Sequence, residues 1–243
     1  MNTLETIEQL HQLKLHGMAK RYESVLAQAV HQQPEAHSLL AMLAEAEAGY
    51  RTHQRTQLYL RLSKLRYHAT PEQINCTAGR GITKEQLITL CDGMFIQRSE
   101  NLLITGPTGS GKSYLACSLG KQACMLGYRT LYYCMSRFIE ALASARLDGS
   151  YIKWINQIAK MPLLILDDFG LQPLTHDMKL ALLQVLEDRY GNGATIITSQ
   201  LPVSKWYEYI KEPTVADAIC DRVTSNAHRI ELKGESLRNK KIS

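Results

Sequence analysis

One octapeptide limits this chain more than anything else in it. Residues 106–113 read Gly-Pro-Thr-Gly-Ser-Gly-Lys-Ser, the full G-x-x-x-x-G-K-[ST] spacing. Gly106, Gly109 and Gly111 allow a backbone path that a Cβ would obstruct, so consecutive N–H groups can turn inward around an anion. The run before the loop, 101–105, is strand-like, and the run after it, 112–125, reads as a helix. That helix presents its positive end to the same place. Lys112 supplies a compact cation for β- and γ-phosphates, and Ser113 a hydroxyl for Mg²⁺. The expected cradle for a nucleoside triphosphate is therefore Gly106, Pro107, Thr108, Gly109, Ser110, Gly111, Lys112 and Ser113, with Tyr114 next on the helix.

A phosphate loop needs acidic residues on a neighbouring strand. Leu163-Leu164-Ile165-Leu166-Asp167-Asp168 offers them: four apolar residues bury a strand, and two carboxylates emerge at its C-terminal end, where ligands bind in open α/β sheets. Asp167 is the expected metal residue beside Ser113. Asp168 is the expected group that orients or deprotonates the attacking water. A further strand ends in Thr198-Ser199-Gln200. All three side chains can reach a phosphate or a water chemically.

From residue 101 onward, short β-branched or Leu-rich runs (130–134, 163–166, 194–198, 229–232) alternate with helical runs (112–125, 137–145, 177–190, 215–226). That alternation predicts an α/β fold with a parallel sheet flanked by helices. The chain before it reads differently. Leu15, Met18, Tyr22, Val25 and Leu26 share one helical face. A polar turn with Pro34 follows, then a helical run from 38 to 67, stopped by Pro71. Thr83 is a plausible N-cap for a helix through residue 90. The reading is a small all-helical N-terminal domain over 1–70 and an ATPase domain over 71–243.

Charge points to a second ligand. The net charge of +5 is mild, so its distribution matters more than its sum. Between Gly49 and Thr70 stand Arg51, Arg55, Arg61, Lys64 and Arg66, with tyrosines and histidines interleaved and no acid. Leu58, Leu62 and Leu65 share one face, so such a helix packs by its leucines and offers its cations to phosphates. Arg137, Arg146 and Lys153 form a further candidate set for DNA. Nothing suggests base-specific readout; phosphate contact and DNA shape are the expected mode.

Other classes are excluded by what is missing. No apolar run reaches the roughly 18 residues of a membrane span, and the acidic, amphipathic start is unlike a secretory signal. The six cysteines show neither Cys-x-x-Cys pairs nor metal-ligand spacing, so reduced packing cysteines and a cytoplasmic protein are expected.

Taken together, 106–113, Asp167-Asp168, 198–200, Ala218–Val223 with His228–Leu232, and Gly234-Glu235-Ser236-Leu237-Arg238 resemble the IstB/DnaC-like AAA+ ATPases, nearest the IstB-type transposition helpers of bacterial insertion sequences. The resemblance implies a P-loop AAA+ fold, ATP with Mg²⁺, and a higher homo-oligomer with ATP between subunits. It makes Arg222 the arginine finger acting on a neighbouring subunit's ATP, Arg238 the second sensor, and Gln200 the first sensor. Arginines 189, 222, 229 and 238 all follow the acidic pair, and the residues alone do not rank them. Two departures stand out: Gln200 replaces the commoner Asn, and Asp167-Asp168 replaces Asp-Glu, which implies slower hydrolysis. Eleven residues follow Leu232, so the helical lid of AAA+ proteins is reduced or absent. The expected function is ATP-dependent assembly on duplex DNA, presentation of that DNA to a transposase, and ATP hydrolysis. The alternative is a DnaC-like loader acting on a replicative helicase ring and single-stranded DNA. A metabolic kinase is a third reading, but it leaves the 51–66 basic run unexplained.

Overall fold

The computed structural model describes residues 3–237, and its contacts divide the chain into two units, 1–58 and 59–243. Residues 59–70, whose sequence reads as part of the helical region, group with the second unit. The first unit is built from α1 (Thr3–Gln12), α2 (His16–Leu26) and most of α3 (Ala36–Ser63), a helix that continues into the second unit. Helices α2 and α3 touch where Gly17 leaves room: a Cβ there would lie 2.5 Å from the Ala46 carbonyl oxygen. The start of α2 has no side-chain cap of its own. Glu47 supplies one from α3, its Oε2 accepting from the Gly17 N–H (2.8 Å) and the Met18 N–H (3.2 Å).

The expected long helix stops at Ser63 rather than at 67. Lys64 turns left-handed, at φ +56°, and carries the chain out of the helix before Pro71 is reached. Then follow α4 (Lys84–Cys91), α5 (Met94–Gln97), β1 (Asn101–Thr105), α6 (Lys112–Met125), β2 (Thr130–Cys134), α7 (Met135–Leu147), α8 (Tyr151–Ala159), β3 (Leu163–Phe169), α9 (His176–Arg189), β4 (Ala194–Ser199), α10 (Trp206–Ile210), α11 (Pro213–Thr224) and β5 (Ala227–Glu231). Thr83 caps α4 as expected, its hydroxyl accepting from the Gln86 N–H.

The five strands form one parallel sheet in the order β2-β3-β4-β1-β5. Period-two alternation splits its core. Leu102, Ile104, Leu163 and Ile165 face one side, where Leu115, Leu119 and Ala123 of α6 cover them. Leu103, Leu164 and Leu166 face the other, under Phe138, Ile155, Ile158 and Leu182 of α7, α8 and α9. All seven strand residues are fully buried, each worth about 1.5–3 kcal/mol relative to exposure. The sheet is therefore a rigid platform whose C-terminal edge carries the loop after β1 and the carboxylates of β3, with β4 between them.

One irregularity positions those carboxylates. Leu166 pairs with Ile197, but Phe169 pairs with Ser199, so β3 carries one residue more than β4 at this point, a bulge. Asp168 takes up the extra residue at φ +63°. Asp167 thus points into the protein while Asp168 turns toward the edge.

Buried Arg189 locks the opposite end. It is 1% exposed and has no carboxylate partner among the described residues. Its guanidinium donates to Thr195 Oγ1 (3.1 Å), to the carbonyls of Ile158 (2.9 Å) and Met161 (2.6 Å), and to that of Ala194. The Ile158 carbonyl lies in the last turn of α8 and that of Met161 just past its C-cap, where a cation meets the negative end of a helix. Burial lowers the guanidinium pKa to about 10, so it stays charged at neutral pH. Arg189 is therefore structural and drops out of the arginines weighed as a finger.

Candidate nucleotide-binding site

The loop after β1 has the backbone that its glycines make possible. Gly106, Gly109 and Gly111 sit at φ +145°, +81° and +98°. A Cβ at Gly106 would lie 2.2 Å from the Leu232 carbonyl oxygen, and one at Gly109 2.1 Å from Ser236 Oγ. The chain after β5 therefore lies directly against the loop. Leu232 N–H donates to the Thr105 carbonyl (2.7 Å), and Leu237 N–H to that of Gly109 (2.9 Å). Lys112 is buried, and its Nζ donates to the carbonyls of Gly106 and Pro107, both at 2.9 Å. Ser110 Oγ is buried and has no hydrogen-bond partner among the described residues. Beside the loop opens a cavity of about 360 Å³, lined among others by Tyr67, Lys112, Tyr114, Asp168, Gln200 and Leu237.

Asp167 is fully buried and both its oxygens are engaged. Oδ1 accepts from Ser113 Oγ at 2.9 Å and from Thr198 Oγ1. Oδ2 accepts from the Tyr132 hydroxyl at 2.6 Å. Burial, reinforced by that bond to Asp167, holds the Tyr132 phenol far above its usual range, so it is a fixed donor. The Thr198 hydroxyl also accepts from the Asp168 N–H (3.1 Å), pinning the bulge. Asp168 faces Arg66 at 3.7 Å.

Several of these residues escape sequence reasoning. Tyr132 lies mid-strand in a run that reads as plain β structure. Arg80 sits in a mixed segment, yet its Nη2 donates to the Ser110 carbonyl at 3.0 Å. Gln73 accepts from the Tyr114 hydroxyl at 2.5 Å. Of the trio at the end of β4, Thr198 touches the aspartates, and Ser199 Oγ donates to the Phe169 carbonyl (2.6 Å). Gln200 is exposed and accepts from Thr108 Oγ1 (2.7 Å), over the loop rather than on the carboxylates. Arg238 lies outside the described residues.

Arg222 stands elsewhere. Its carbonyl accepts from Asn101 Nδ2 at 3.0 Å, at the start of β1, and its Nε donates to Glu187 at 2.5 Å. Five residues at about 3.3 Å each separate Asn101 from the loop, so this side chain lies at the far edge of the sheet from its own phosphate cradle. Arg229 is an exposed residue of edge strand β5.

The candidate DNA residues sort into paired and unpaired. Arg51 pairs with Glu47 (2.7 Å), four residues before it, Arg137 with Glu140 (2.9 Å), and Arg146 with Asp177. Arg66 faces Asp168. Arg55, Arg61, Lys64 and Lys153 are exposed and carry no ion pair among the described residues. All six cysteines are free, no described helix is long and apolar enough to cross a membrane, and no His/Cys/Asp/Glu metal cluster occurs among the described residues.

A phosphate loop at the end of β1, an acidic pair at the end of β3, and the strand order between them define a P-loop protein of the AAA+ fold. Solved structures share it: DnaI (TM-score 0.58, 19% identity, 70% of this chain and 90% of that one) and the DnaC helicase loader (TM-score 0.58, 18% identity, 69% and 98%). The chain belongs to the family of IstB-like ATP binding proteins, whose model matches residues 8–243. It is similar to the insertion sequence ATP-binding protein y4pL of Sinorhizobium fredii, 44% identical over 96% of this chain and 95% of that one. It is also similar to the insertion sequence IS21 ATP-binding protein of Pseudomonas aeruginosa, 30% identical over 99% and 90%.

Proposed function

We propose that this protein hydrolyses ATP, binds duplex DNA without sequence preference, and presents that DNA to the transposase of an insertion sequence. The observation that carries the reading is the Ser113–Asp167–Thr198 cluster beside the glycine loop, in a chain whose relatives are named insertion sequence ATP-binding proteins. The residues fit the group they would hold. Three glycines make a cradle that Cβ atoms would fill, and a hydroxyl and a carboxylate, both hard oxygen ligands, meet beside it.

Lys112 exchanges the carbonyls of Gly106 and Pro107 for phosphate oxygens. Ser113 and Asp167 would hold Mg²⁺, which when bound would neutralise charge on the phosphates. Thr198 and Tyr132 keep the Asp167 carboxylate from rotating. Asp168, on the bulge, accepts the proton of the attacking water or orients that water. Arg222, at the opposite edge, serves the site of a neighbouring copy, so ATP orders a homo-oligomer. Arg238 follows a segment already seated on the loop and acts as the second sensor. DNA phosphates meet the exposed cations of the basic run, Arg55 and Arg61 on α3 and Lys64 just after it, with Lys153 as a further contact.

The helicase-loader reading draws on likeness at 18–19% identity, which speaks to fold alone. The test is assembly on duplex DNA followed by sedimentation. ATP is expected to drive wild-type protein onto DNA in large particles, and Lys112→Ala to abolish them. ATP-dependent particles formed equally by the variant would sink the reading.

A further inference from the structure

Arg66 belongs by sequence to the basic run, yet its guanidinium reaches the acidic pair. Nη1 lies 3.7 Å from Asp168 Oδ2, the group also faces Tyr132 and Asp167, and it stacks over the Tyr67 ring at 5.3 Å. The backbone that aims it is anchored on both sides. Before it, Leu65 packs onto α6 so closely that a Cβ at Gly120 would lie 2.8 Å from Leu65 Cδ2. After it, the Tyr67 ring meets that of Tyr114, centroids 6.0 Å apart, beside Ser113, and Ala69 is fully buried. Upstream, the last turn of α3 and the left-handed Lys64 form the joint. Exposed Arg61 and Lys64 stand on that joint.

We propose that Arg66 is a positioning residue for hydrolysis: it holds the Asp168 carboxylate, and DNA phosphates bound at Arg61 and Lys64 loosen that hold. This rests on the DNA-binding reading above. The physical reason is direct. A guanidinium beside a carboxylate oxygen draws that oxygen toward itself and away from the water it would orient. Lys64 is two residues from Arg66, so a phosphate bound there competes through its charge with Asp168 for the half-exposed guanidinium, with the backbone held in place. DNA thereby sets the rate of hydrolysis through a strap of residues 64–67.

The experiment uses full-length protein with Arg66→Ala and Arg66→Lys. It measures ATP turnover with and without duplex DNA, and the salt dependence of DNA binding. Arg66→Ala is expected to raise basal kcat about two- to fivefold, the factor suited to a half-exposed ion pair. KM should stay unchanged and the DNA-stimulated to basal ratio should fall toward one. Arg66→Lys, which keeps the charge, should fall between. The salt slope should not move, because Arg66 is spent on Asp168. A basal kcat that is unchanged or lower overturns the proposal, as does a salt slope reduced by about 0.9, the signature of one lost phosphate contact. The double variant Arg61→Ala/Lys64→Ala separates the two ideas. A slope lower by about 1.8 supports the joint as a DNA contact; an unchanged slope overturns the DNA reading and the coupling with it, while basal kcat of Arg66→Ala still decides the hold.

Discussion

Tyr132→Phe removes a single oxygen from the centre of the site. Asp167 is fully buried, and among the described residues the only hydrogen bond to its Oδ2 comes from Tyr132, at 2.6 Å. Phenylalanine keeps the ring and leaves that oxygen buried without its donor. A hydrogen bond to a charged group contributes about 1.5–3 kcal/mol, and here both partners lie out of water. For a protein of this size about 2–4 °C of melting temperature follows each kcal/mol, so the variant should melt about 3–12 °C lower. The melt is done in EDTA, so that no metal compensates for the lost donor. Tyr133→Phe is the control. The Tyr133 hydroxyl is less buried and, among the described residues, accepts only a long bond from Trp154 Nε1, at 3.4 Å, so its loss should cost no more than about 0.5 kcal/mol. A Tyr132→Phe protein that melts with the wild type, or with the control, would refute the claim that this phenol fixes the buried Asp167 carboxylate.

Three further outcomes follow from single contacts. Arg189→Met removes a buried donor shared by three carbonyls and a hydroxyl, of which the Ile158 carbonyl keeps the Met161 N–H, and should destabilise the protein by about 3 kcal/mol or more in urea titrations; a loss under 1 kcal/mol would contradict the structural role given to this guanidinium. Gly109→Ala sets a Cβ at φ +81° and 2.1 Å from Ser236 Oγ, so ATP binding should weaken in fluorescence titrations; wild-type affinity would show that the loop's path is not needed. Burial alone would raise the Glu47 carboxyl, but hydrogen bonds from Arg51, Met18 and Gly17 outweigh it and hold the pKa below the ordinary 4.5. With its folded pKa depressed, Glu47 stabilises the fold above pH 4.5 and loses that contribution as the pH falls through the folded value. Melting curves from pH 7 to 3 should therefore drop less steeply for Glu47→Gln, and equal slopes would reject the cap.

The sheet was legible because its signals are local. Fully buried parallel strands read as continuous apolar runs, and β1 and β2 begin and end where the sequence places them. Other features depend on distant partners. Asp168 takes its place from a bulge that shows only in the pairing of Leu166 and Phe169 with β4. Thr198, Ser199 and Gln200 are equivalent as chemistry; Thr198 lies within β4 and meets Asp167, whereas β4 ends at Ser199 and leaves Gln200 over Thr108. Arg66 shares its composition with Arg61, but the left-handed turn at Lys64 parts them. Two further features carry a local signal. Ile155 and Ile158 of α8, with Ile152 three residues earlier, follow helical spacing. Glu47 stands one helical turn before Arg51, just outside the window in which no acid occurs.

Every role proposed for these residues requires a triphosphate held between the glycine loop and the paired aspartates. Titration calorimetry of the full chain with ATP and Mg²⁺ tests it most directly, beside Lys112→Ala. Saturable one-to-one binding by the wild type, weakened at least about tenfold in the variant, a difference of about 1.4 kcal/mol, is the expected result. No heat from the wild type, or equal affinity in both proteins, would contradict the account.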